Sequence, residues 1–154
     1  MPSEKSRYLN RKRGPMPPMD FNELKDHLPS LGSERLADLL WIRAEQDEIL
    51  RKVLMAAVGI QSASGDFEKA KIAIDYALHF PDFIRYTEDG HGQILEEIKV
   101  CLENIANNGK REFAIRVARH AIDRGQEVAE NFQDDWDWTS SLKNLSEWAN
   151  KMTE

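Results

Sequence analysis

The chain has 154 residues with 21 basic and 27 acidic side chains, a formal charge of −6, and one cysteine. Its balance of apolar and charged residues is that of an ordinary globular domain, and the length suits one domain able to bury a core without disulfides. Collagen-like, disulfide-framework and wholly disordered classes are excluded.

The charge is unevenly spread. Within residues 1–19, Lys5, Arg7, Arg11, Lys12 and Arg13 stand against Glu4, a charge of +4. The remainder keeps 16 basic and 26 acidic side chains, or −10. Four of the six prolines also fall in this head: Pro2, Pro15, Pro17 and Pro18. Proline fixes φ and removes a donor, and so few apolar groups cannot offset the entropy of ordering. We expect residues 1–19 to form a disordered basic tail and residues 20–154 to form one all-helical domain. The tail lacks the apolar run of a signal peptide, and no stretch reaches the ~20 apolar residues of a membrane span. With one cysteine, these features point to the cytoplasm and away from membranes.

From residue 20 the apolar residues recur at intervals of three and four, as on helices. Asp20 with Glu23 forms a capping-box pattern before a short helix closed by Pro29. Ser33 starts the next helix, with Leu36, Leu39, Leu40 and Ala44 on one face. Asp47 caps a third or marks a kink, followed by Leu50, Val53, Leu54 and Ala57, ending near Gly59. Residues 62–65 form a turn. From Asp66 the stripe is Phe67, Ala70, Ile74, Ala77 and Leu78, stopped by Pro81. A longer connection, 82–92, precedes the stripe of Ile94, Ile98, Cys101 or Leu102, and Ile105. Asn107, Asn108 and Gly109 read as a left-handed helix stop. The longest helix covers about 110–132, with Ala114, Val117, Ala118, Ala121, Ile122, Val128 and Phe132. The last covers about 138–152, with Leu142, Leu145, Trp148 and Met152. The fold class is all-α, with short connections favouring antiparallel hairpins in an irregular bundle or a short TPR- or HEAT-like superhelix. Gly125, on the apolar face of the long helix, marks either a close helix approach or a kink.

Few residue constellations carry chemistry. Cys101 lies mid-helix on the apolar stripe beside Glu97 and Glu103, a setting that disfavours a reactive thiolate. His27, His79, His91 and His120 are dispersed, without metal-ligand spacing. Asp134, Asp135 and Asp137 are the densest acidic group and the remote candidates for a divalent cation. They lack the glycine and glutamate of a calcium loop, and Asp137 is expected to cap the final helix. Arg116, His120 and Arg124, at i, i+4 and i+8, make a basic line suited to an acidic peptide or a phosphate, or to pairing with Glu96, Glu97 and Glu103. Phe83, Tyr86, Trp136 and Trp138 are aromatic residues in loops, which either staple a loop to the core or anchor a partner.

Residues 36–51, the sequence Phe80-Pro81-Asp82-Phe83, the run Phe83-Ile84-Arg85-Tyr86, and the long helix leading into Asp134-Asp135-Trp136-Asp137 together resemble a bacterial all-helical family of unknown function. The resemblance covers about residues 36–150. Trp138 stands where that pattern has a glycine. It implies a helical-hairpin domain, sometimes joined to nucleic-acid-associated modules, and transfers no catalytic residue. The expected function is a non-enzymatic helical module that binds another protein, with no cofactor. An alternative is a nucleic-acid-associated accessory protein that touches phosphates through residues 1–19 alone. A metal-dependent enzyme is the remote third class.

Overall fold

A computed structural model describes residues 15–80, 90–131 and 136–154. Helix α1 (Phe21–His27) leads into a 3-10 turn (Leu28–Leu31) and α2 (Ser33–Ala44). There follow α3 (Glu48–Ser62), α4 (Phe67–Ala77), α5 (Gly92–Asn107), α6 (Arg111–Asn131) and α7 (Trp136–Thr153). The protein is all-α, and no strand occurs among the described residues. None of its described helices is long and apolar enough to cross a membrane. The expected tail falls mainly on residues 1–14, outside the described residues. The chain divides into two compact units at Ile42/Arg43.

In the first unit, the Asp20 carboxylate accepts from the Glu23 amide at 2.8 Å and caps α1. That hydrogen bond holds the Asp20 carboxyl below its ordinary range. Pro29 sits at the start of the 3-10 turn, where a missing N–H costs nothing. The apolar face expected for α2 finds no core within this unit; Ala44, the one buried residue of α2, belongs to the second unit.

In the second unit, the caps of α3 and α4 form where the sequence places them. Asp47 accepts from Leu50 N at 3.0 Å, and Asp66 accepts from Glu68 N at 3.0 Å. Each cap satisfies amides that the first helical turn leaves without partners. The stop after α5 is equally local. Gly109 adopts φ 96°, and Lys110 N donates back to Ile105 O at 3.2 Å.

Two glycines act through space rather than as helix ends. α3 runs past Gly59 to Ser62, because position 59 is where α4 crosses. A β-carbon there would lie 2.3 Å from Ala73 Cβ. α6 likewise continues through Gly125, where a β-carbon would stand 2.7 Å from Leu142 Cδ1 of α7. The close-approach reading of Gly125 therefore holds, and the helix is not divided there.

The core draws on every helix from α3 to α7. Ile60, Ile74, Leu95, Ile98, Leu102, Val117 and Leu145 are fully closed from solvent, with Ala56, Ala70, Ala114, Ala118 and Ala121 between them. Alanines and glycines at the crossings let backbones approach, while the larger residues fill the space between layers. The buried row of α3 is Lys52, Ala56, Ile60 and Ala63, not the expected Leu50, Val53, Leu54 and Ala57, which are only half-buried. The stripes of α4 to α7 match expectation closely.

Gly59 supplies a direct check of the crossing. Alanine favours a helix by about 1 kcal/mol over glycine, yet its methyl group here must displace the backbone-bound Ala73 Cβ. Gly59→Ala is expected to lower stability by about 1–3 kcal/mol, seen as an earlier midpoint in urea unfolding. A later midpoint would mean that α3 and α4 do not meet this closely.

Candidate functional site

The residues singled out from the sequence have different fates. Phe83, Tyr86, Asp134 and Asp135 lie outside the described residues. Trp136 opens α7, and its side chain lies outside them as well. Trp138 is wholly buried, and its indole N–H donates to Gly125 O at 3.0 Å. It staples α7 to α6 and is unavailable as a surface anchor. Asp137 lies within α7 rather than before it, and it caps another helix. Its Oδ2 accepts from Gly92 N at 2.9 Å, at the start of α5. A carboxylate there also meets the positive end of the α5 dipole.

Arg116, His120 and Arg124 do lie along one side of α6, but they face α4 rather than the glutamates of α5. His120 Nε2 is 2.6 Å from Asp75 Oδ1, and Arg124 Nε is 3.2 Å from the same oxygen. Arg124 Nη1 also lies 3.1 Å from Glu127 Oε2. The Arg116 guanidinium sits over the Phe67 ring, 4.0 Å from its centre, and that ring meets His120 edge-on. α5's glutamates are engaged elsewhere: Glu96 with Asn144, Glu97 with Cys101 and Glu103 with Lys99. The basic line is thus largely matched by Asp75 and Glu127 of its own chain. An acidic ligand would have to compete with them.

Two shallow recesses flank these helices. One, of about 130 Å³, is lined by Leu78, His79, Phe80, Arg124, Glu127 and Val128. The other, of about 140 Å³, lies among Ile60, Ser64, Ile105, Asn108, Lys110 and Phe113. Small-molecule sites usually enclose about 300–1,000 Å³, so each suits only a fragment. Among the described residues, no three His, Cys, Asp or Glu side chains gather as a metal site.

One buried cation escapes the periodicity argument. Lys52 occupies the core-facing row of α3, only 8% exposed. Its Nζ donates to His79 O at 2.6 Å and to Tyr76 O at 3.4 Å, so it closes the carbonyl end of α4. The ammonium also lies 4.8 Å from the centre of the Phe80 ring and 5.5 Å from that of Tyr76. Phe80 in turn packs edge-on against His91 and Trp138. A lysine in the sequence signals a solvated face, so periodicity alone does not place Lys52 in the buried row of α3.

Among the described residues, large apolar side chains also lie open on α3 and α4. Val58 and Ile72 are the chain neighbours of the crossing pair Gly59 and Ala73, and they are 64% and 70% exposed. Met55 and Tyr76 continue the same outer face at 46% and 56%. Sequence periodicity passed over these four because they fall off the stripes assigned to α3 and α4. Their signal was that off-stripe positions were large and apolar rather than charged. Among the described residues, by contrast, every buried side-chain nitrogen and oxygen has a partner. No family model, no curated protein and no solved structure matches the chain.

Two titrations follow from these surroundings. Burial pushes the Lys52 ammonium below its ordinary value of 10.5, with Glu48 opposing the shift. The unfolded chain therefore holds this proton more tightly than the folded one. The resulting penalty is full below the folded value and vanishes above the unfolded one. Wild-type unfolding free energy should gain on that of Lys52→Met as pH rises through this alkaline window. A constant difference between the two proteins would contradict the burial of the charge. Burial, then Glu97, push the Cys101 thiol up to about 11. At neutral pH a thiol reagent should modify Cys101 only after denaturant is added; rapid native labelling would contradict its place in the core.

Proposed function

We propose that this chain is a non-enzymatic helical interaction module that docks an amphipathic helix of a partner protein on the outer face of α3 and α4. The observation that carries the reading is the row of Met55, Val58, Ile72 and Tyr76, large apolar side chains left open beside a core that is already closed. Contiguous exposed apolar patches of a few hundred Å² commonly mark interaction sites. A helix laid along such a face would bury alternate turns of its own apolar stripe.

The helix pairing supports a module of this kind. α3 and α4 run antiparallel, since Lys52 meets His79 while Gly59 meets Ala73. α4 and α6 run parallel, with Phe67 beside Arg116 and Asp75 beside Arg124. We read this as stacked helical pairs whose outer faces are free to bind. The single cysteine and the lack of a membrane-spanning helix among the described residues favour the cytoplasm as its compartment.

The test replaces two exposed side chains. Val58→Glu with Ile72→Glu should leave helicity and the urea midpoint nearly unchanged, because neither side chain contributes to the core. Proteins retained from native lysate by the wild type should be lost by this variant and kept by Arg124→Ala. Retention of the same proteins by the Glu variant would overturn the assignment of this face.

A further inference from the structure

In an asparagine–glycine pair the backbone amide after the asparagine can reach its side chain with little hindrance. Of the asparagines in the sequence, Asn108 alone precedes a glycine. Gly109 has no β-carbon to shield its amide nitrogen, and space is open where one would stand. Residues 107–110 are all exposed, at the turn between α5 and α6, wholly within the second unit. The turn is held by few bonds. Asn108 N donates to Asn104 O at 3.1 Å, Gly109 N to Ala106 O at 3.2 Å, and Lys110 N to Ile105 O at 3.2 Å. These close the last turn of α5, and helix ends open more readily than helix middles. Opening frees the Gly109 amide beside the Asn108 side chain.

We propose that Asn108 is a site of spontaneous modification, whose conversion to aspartate or isoaspartate dismantles the stop of α5 as the protein ages. The Gly109 nitrogen loses its proton to hydroxide and attacks Asn108 Cγ. A bond forms between that nitrogen and Cγ, the Cγ–Nδ2 bond breaks, and the side-chain nitrogen takes a proton from water and leaves as ammonia. A cyclic imide remains. Water then opens the ring on either side of its nitrogen. Cleavage at Cγ gives aspartate, and cleavage at the main-chain carbonyl of residue 108 gives isoaspartate. Asparagine and one water have become a carboxylic acid and ammonia, with nothing oxidised or reduced. In isoaspartate the main chain runs through the former side chain and is one atom longer. That displaces Gly109 from its φ of 96° and separates Lys110 N from Ile105 O, the two features that end α5. Either product also places a carboxylate at the negative end of the α5 dipole.

Peptide mapping by mass spectrometry of the full chain, held folded in mildly alkaline buffer, tests this, with the urea-unfolded chain as the reference for the unrestrained reaction. Asn108 should convert before Asn104, Asn131 and Asn144, and each conversion should add one negative charge to the formal −6. The converted chain should lose hydrogen-exchange protection across residues 105–111. Asn108→Gln, exposed and so expected to fold normally, closes a larger ring slowly and should keep that protection after the same ageing. Absence of conversion at Asn108 in the folded chain, over the time in which the unfolded chain converts completely, would overturn the proposal. So would earlier conversion of the other asparagines, or protection across 105–111 that is equal in the converted chain and in aged Asn108→Gln.

Discussion

The second unit depends on the crossing of α3 and α4 at Gly59 and Ala73. With no side chain at 59, the two backbones come close enough for a β-carbon at that position to collide with its neighbour. The same approach brings Lys52, two turns earlier on α3, within reach of the last carbonyls of α4. Its ammonium then faces Phe80, and Phe80 meets His91 and Trp138. Three further helix ends are thereby tied to one crossing: the end of α4, the start of α5 and the start of α7. Asp137 adds a second tie between the last two by capping α5 from within α7.

This crossing also decides what stays outside. α3 turns Lys52, Ala56, Ile60 and Ala63 inward, so Met55 and Val58 must lie toward solvent. α4 turns Ala70, Ala73, Ile74 and Ala77 inward, which leaves Ile72 and Tyr76 outside. A core built on small residues at its contacts closes completely and has no further use for these large side chains. The polar side of the molecule shows the opposite economy. Asp75 and Glu127 answer His120 and Arg124, and Phe67 covers Arg116. Among the described residues, large apolar side chains are left outside the core on α3 and α4, whereas the cations along this side of α6 are met within the chain.

Much of this was legible in the sequence because it is local. Asp20, Asp47 and Asp66 each cap the helix they precede, and Gly109 ends α5, since a cap needs only three or four neighbouring residues. Periodicity found the buried stripes of α4, α5 and α6 where every inward position is apolar. It failed on α3, where the inward row contains a lysine whose partners, Tyr76 O and His79 O, are 24 and 27 residues away. It failed on Gly59 for the same reason, because a crossing partner is not written beside the glycine. Asp137 shows the limit well: expected to cap the last helix, it lies inside that helix and accepts from Gly92 N at the start of α5, 45 residues earlier.

The first unit carries the same lesson in reverse. Its periodic leucines in α2 look like a core face, and no core in residues 21–42 receives them. The core of the second unit rests on the close crossing of α3 and α4 at Gly59 and Ala73. Hydrogen exchange of the full-length protein, wild type beside Gly59→Ala, measures that crossing most directly. Amides of Ile60, Ile74 and Ile98 should be strongly protected in the wild type and lose protection together in Gly59→Ala. Equal protection in the two proteins would contradict it.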